Sequence, residues 1–129
     1  RDKADLASYC AENRITFQAY SPLERGVLTG KAALSQNVVG TAKASVAWYK
    51  MENRPKVLTL LTSLETMADT YNTRVGNLVI AWTRQATGTM NVLCGARKPN
   101  QIEENSKAQD LVITAKDWAN IDSLARTLL

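Results

Sequence analysis

Two short stretches hold the residues whose types and spacing could do chemistry. The segment "CGARKPNQIEEN" (94–105) sets Gly95, Arg97 and Lys98 ahead of Pro99, then places Gln101, Glu104 and Asn105 on the following helical turns. Adjacent cations at a turn suit an anion. A helix opening at Pro99 would aim its free N–H groups at the same point. Gln101, Glu104 and Asn105 share one face by their three- and four-residue spacing and offer hydrogen-bonding groups to the rest of a ligand. The segment "YSPLERGVLTGK" (20–31) has a similar make-up, with hydroxyl, cationic and glycine residues after an apolar run. Both stretches fit a ligand with a phosphate at one end. They also fit solvated turns, the second leading into an ordinary capped helix.

The elements that must position these stretches can be read from periodicity. Residues 3–12 form a helix with Leu6, Tyr9 and Cys10 at helical spacing. "ITFQAY" (15–20) alternates Ile15, Phe17 and Ala19 and reads as a strand, which Ser21 and Pro22 stop. Residues 31–54 read as a loop with a possible short helix around 42–51. Residues 56–71 place Val57, Leu60, Leu61, Leu64, Met67, Ala68 and Tyr71 on one helical face. A further helix is expected over 74–87, capped by Thr73 and ended by Gly88, with Val75, Leu78, Val79, Trp82 and Ala86 inward. "NVLC" (91–94) suits a buried parallel strand, followed by a helix from Pro99 to about 107. Thr114 and Asp117 form a Thr-x-x-Asp box opening a last helix, with Trp118, Ile121, Leu124, Ala125 and Leu128 inward.

Strands separated by helices imply a parallel α/β arrangement, in which ligands bind at the carboxyl ends of the strands. Two strands make a poor sheet on their own, because both outer edges offer unpaired backbone groups. The expectation is one domain, 1–129, that is part of a larger barrel or has its sheet completed by another chain.

Composition removes several classes of function. Hydrophobic residues make up 45% and charged residues 22%, which fits a globular chain and not a disordered one. No apolar run approaches a membrane span, and a signal peptide is not expected from the opening residues. The net charge of +4 is scattered without aromatic interleaving, so a nucleic-acid partner is not expected. Two cysteines, Cys10 and Cys94, are too few for a disulfide framework, which suits a reducing, cytoplasmic setting. The chain has no histidine, so imidazole acid–base chemistry is excluded and a metal site is not expected. It opens on Arg1 within apparent helix, which suggests a fragment, a trimmed chain or a processed one.

Three ordered stretches then resemble the aldo-keto reductase family, and within it the branch of voltage-gated potassium-channel β-subunits. "AYSPLERGVLTGK" (19–31) is similar to the family's seventh barrel strand and its loop. "VIAWTRQ" (79–85) resembles the helix before strand eight, and "CGARKPNQIEEN" resembles strand eight with its cofactor helix. The register holds from about residue 6 to 124. The resemblance implies a partial (β/α)8 TIM barrel, α/β in class: its C-terminal portion, with strands seven and eight and their flanking helices.

The resemblance further implies NADP(H) as cofactor and a carbonyl compound as substrate of the full enzyme. Tyr20 matches the aromatic residue stacked on the nicotinamide, and Ser21 and Leu23 match contacts to the pyrophosphate. Lys31 matches a phosphate-contacting lysine, and Gly95 a site of close cofactor approach. Arg97 and Gln101 lie toward the adenosine 2′-phosphate, and Glu104 and Asn105 toward the ribose and adenine. The family's proton-donating tyrosine, with its aspartate, lysine and usual histidine, lies in the other half of the barrel. No catalytic residue maps onto this chain, and Tyr9, Tyr49 and Tyr71 are expected to have packing roles. The implied assembly is the cofactor-binding part of a reductase, or a catalytically silent half-barrel that self-associates as a homodimer through its open strand edges.

Overall fold

The computed structural model describes residues 3–32, 47–86 and 90–127. Helix α1 (Lys3–Glu12) leads into strand β1 (Phe17–Tyr20); three 3-10 segments, Glu24–Thr29, Ala47–Tyr49 and Met51–Asn53, are described before the long helix α2 (Arg54–Thr70). Helix α3 (Val75–Arg84), strand β2 (Met90–Leu93), helix α4 (Pro99–Ser106) and helix α5 (Ala115–Arg126) follow. The two strands pair in parallel, with Phe17 opposite Met90 and Tyr20 opposite Leu93.

The core lies between α2, α3 and α5. Leu61, Leu64 and Leu78 are fully buried there, and Ile121 of α5 closes the far side. The solvent face of α2 is rich in hydroxyls. Thr59, Thr62, Ser63, Thr66 and Thr70 each donate to the carbonyl four residues earlier, so these residues satisfy themselves within the helix. The box at the start of α5 forms as read: Thr114 Oγ1 accepts from Asp117 N at 3.2 Å and donates to Asp117 Oδ2 at 2.8 Å. Tyr71 joins it, donating to Asp117 Oδ2 at 2.7 Å and accepting from Thr114 N at 2.9 Å. Hydrogen bonds from Tyr71 and then Thr114 hold the Asp117 carboxyl below its ordinary range.

Several expectations are corrected by these packing details. β1 starts at Phe17 and not at Ile15, because Ile15 N donates to Cys10 O at 2.7 Å and so finishes the turn after α1. β2 runs one residue earlier than "NVLC", since its register with β1 ends at Leu93 and Cys94 opens the next turn. The sheet is not buried: Tyr20 is 72% and Leu93 46% exposed, and Asn91 is exposed as well. Helix α3 opens from Arg74 and has no side-chain cap; Thr73 instead donates its backbone N–H to Ala68 O, closing α2. Its buried face also includes Ile80, Ala81 and Asn77. Among the described side chains of α1, Cys10 alone is buried, while Leu6 and Tyr9 are exposed, so Tyr9 has no core-packing role among the described residues. Tyr49 and Tyr71 do pack against the core. The short helix expected near 42–51 is realised as 3-10 turns at Ala47–Tyr49 and Met51–Asn53, and positions 42–46, Gly88 and Leu128 lie outside the described residues.

Candidate functional site

A cleft of about 1380 Å3 opens at the carboxyl ends of β1 and β2. One wall is the turn after β1. It contains four residues of positive φ: Ser21 at 55°, Glu24 at 43°, Arg25 at 56° and Gly26 at 100°. Non-glycine residues avoid this region, so the rest of the fold must hold them there. Gly26 N and Leu28 N both donate to Leu23 O, Thr29 Oγ1 donates to Gly26 O, and Tyr49 Oη donates to Arg25 O at 3.2 Å. Val27 and Leu28, buried in the core, pin the turn from below.

The opposite wall is built differently. The turn after β2 is exposed, and a Cβ added at Gly95 would meet nothing within 4 Å. Its shape comes from α4: Gln101 Oε1 accepts from Arg97 N at 2.7 Å and from Lys98 N at 3.1 Å. Gln101 sits at the third helical position and satisfies two donors ahead of a proline-started helix, half of a capping box. Its oxygen is thereby engaged, while its Nε2 is the group left to donate to a ligand. The Arg97 guanidinium is exposed and has no side-chain partner among the described residues. Cys94 also lines the cleft, and burial raises the pKa of its thiol.

Glu104 is the most heavily bonded side chain of the cleft. Its Oε2 lies 2.9 Å from Lys107 Nζ, and its Oε1 lies 3.0 Å from Asn77 Nδ2 and 3.4 Å from Arg74 Nε. The Lys107 hydrogen bond is the main cause holding its carboxyl below the ordinary range, with Arg74 and Asn77 adding to it. Four cations, Arg25, Arg74, Arg97 and Lys107, line the cleft against two carboxylates, Glu103 and Glu104. A surplus of cations in a concave site suits an anionic ligand.

Of the residues singled out in the sequence, the structure brings Ser21, Leu23, Gly95, Arg97, Gln101, Glu104 and Asn105 to this cleft. Tyr20 ends β1 on the exposed face of the sheet, beside the cleft and not within its lining. Lys31 is outside it and bound to Glu65, with Nζ 2.9 Å from Oε2 and its backbone N donating to Oε1 at 3.0 Å. Sequence reasoning missed Arg25, Arg74, Asn77 and Lys107. Lys107 had a signal, three residues beyond Glu104 on one face; Arg74 and Asn77 reach the site only through the packing of α3 on α4. Among the described residues no three His, Cys, Asp or Glu side chains come together as a metal site.

Parallel strands, flanking helices and a cationic cleft at the strands' carboxyl ends define a ligand-binding α/β architecture of the barrel or doubly wound kind. Comparison with known proteins narrows it. The model of the aldo/keto reductase family matches residues 1–126, and the chain belongs to that family. An NADH-specific methylglyoxal reductase of Escherichia coli is 32% identical over 124 residues, covering 96% of this chain and 38% of the relative. A probable voltage-gated potassium channel subunit beta of Oryza sativa is 36% identical over 97 residues, covering 72% and 29%. An aldo-keto reductase of Schizosaccharomyces pombe whose name carries NADP(+) is 31% identical over 106 residues, covering 81% and 31%. A crystal structure of a thermostable aldo-keto reductase with the inhibitor epalrestat superposes with a TM-score of 0.61 at 20% identity, covering 95% of this chain and 34% of that one. The fold is therefore that of part of an aldo-keto reductase barrel, and the chain spans about a third of the length of the relatives it matches.

Proposed function

We propose that this chain is the C-terminal, cofactor-binding portion of an NADPH-dependent aldo-keto reductase, with β1 and β2 as strands seven and eight of the barrel. The observation that carries this reading is the cleft itself, which gathers Ser21, Leu23, Gly95, Arg97, Gln101, Glu104 and Asn105 at two strand ends. The residues fit a dinucleotide phosphate. Arg97 offers a guanidinium without a side-chain partner among the described residues, a group whose fork matches phosphate oxygens. Gln101 Nε2 donates beside it. Gly95 leaves open space where a ligand would approach the backbone. Ser21 and Leu23 face the pyrophosphate, and Glu104 and Asn105 face the ribose and adenine. Tyr20 offers its ring to the nicotinamide from the exposed end of β1. Lys31 reaches a phosphate only when its pair with Glu65 opens.

When bound, the reduced cofactor supplies a hydride to a carbonyl carbon. The proton for the carbonyl oxygen comes, on this reading, from residues that are not in this chain. Titration with NADPH and NADH, followed by cofactor fluorescence, tests the proposal. Arg97→Ala is expected to weaken NADPH more than NADH, by about 1.5–3 kcal/mol for one charge-assisted contact. Equal weakening of both would remove the 2′-phosphate role of Arg97. The absence of any signal with NADPH would sink the cofactor reading altogether.

A second reading, a silent NADP-binding half-barrel that self-associates, is favoured by the sheet. Each strand has one partner strand among the described residues, and the face carrying Tyr20 and Leu93 is exposed. Light scattering on the chain decides this: a dimer supports edge pairing, and a folded monomer that binds NADPH rules it out.

A further inference from the structure

We infer that Asn77 is a positioning residue for the adenosine end of the cleft, acting through Glu104; this rests on the cofactor reading above. Asn77 is 3% exposed and is the buried polar side chain among the described residues. The other buried residues of α3 are Val75, Leu78, Val79, Ile80 and Ala81. Burying an amide in such a place is unfavourable unless it is hydrogen-bonded. Its Nδ2 finds one acceptor, Glu104 Oε1, at 3.0 Å.

The geometry fixes one oxygen of a carboxylate that would otherwise rotate. Asn77 donates to Oε1 from a buried, packed position on α3. Lys107 and Arg74 approach Glu104 from exposed side chains, 64% and 77% accessible, which hold geometry poorly. The buried amide is thus the rigid member of the three. With Oε1 occupied by Asn77 and Arg74, and Oε2 by Lys107, the capacity left for an incoming N–H or O–H donor is concentrated on Oε2. Asn77 thereby sets which oxygen reads the ligand and in which direction, from a buried position in the cleft wall.

A double-mutant cycle tests this in the protein carrying this chain, with adenosine 2′,5′-bisphosphate as the probe and calorimetry as the readout. Asn77→Ala is expected to weaken the probe about three- to tenfold when Glu104 is present, and to have no further effect in a Glu104→Ala background. Equal losses in both backgrounds would show a general packing defect and overturn the inference, as would no loss in either. Asn77→Leu keeps the approximate size of the side chain while removing the donor and adding no charge, so it covers the case in which the alanine variant does not fold. It should lower affinity only when Glu104 is present, and wild-type binding by this variant overturns the inference. If the unaltered protein fails to bind the probe, the cofactor reading falls first and this inference with it. If the unaltered protein binds but the cycle shows no coupling, the inference alone falls.

Discussion

The two turns that form the cleft are opposites in construction. The turn after β1 is internally bonded, carries left-handed residues, and is anchored by Val27 and Leu28 in the core. The turn after β2 has no left-handed residue, no buried side chain, and is shaped by a single glutamine reaching back from α4. The first wall belongs to the folding unit. The second is a surface feature with its polar groups left for something else. Strain that the core must hold in place thus lies across the cleft from Arg97, whose guanidinium has no side-chain partner among the described residues.

That contrast gives measurable differences. Leu28→Ala should have the largest effect, costing about 2–5 kcal/mol of stability in chemical denaturation because it opens a cavity beneath the first turn. A loss well under this range would show that the first turn is not core-anchored. Gln101→Ala should cost only about 1 kcal/mol, since the two N–H groups it serves are exposed and water can replace it. A loss as large as that at Leu28 would erase the distinction between the walls. Gly95→Ala should be the smallest, within about 0.5 kcal/mol, because its backbone is ordinary and a Cβ there has room. The same substitution should nevertheless weaken NADPH measurably in a fluorescence titration. If it does not, the open space at Gly95 is not where the cofactor passes.

Much of the helical frame was legible. α2 and α5 follow from apolar spacing, and the Thr114–Asp117 box announces the start of α5, because both signals are local. Four residues of the cleft lining could be picked out for the same reason: Arg97, Gln101, Glu104 and Asn105 lie within one short stretch. What was not legible depends on contacts between distant segments. Whether Ile15 joins β1 is settled by the turn after α1, and the end of β2 by its register with β1. The exposure of the sheet follows from what does and does not cover it, which the apolar pattern of "NVLC" cannot show. Asn77 carries no signal of its own in the sequence. Only the packing of α3 against α4 turns it into a partner of Glu104, twenty-seven positions further on.

The parallel register has a consequence for the order of folding. β1 and β2 come from opposite halves of the chain, whereas α2 and α3 are neighbours joined by the tight turn at Tyr71–Arg74. Closing a long loop costs entropy before the pairing returns anything, while the helical pair gains its contacts early. Helices α2 and α3 should therefore form the nucleus, with strand pairing the late step. The cleft exists only once both strand ends have met, so binding competence arrives at the end of folding. A ligand that bridges the two turns would act on the rate at which that final closure comes apart.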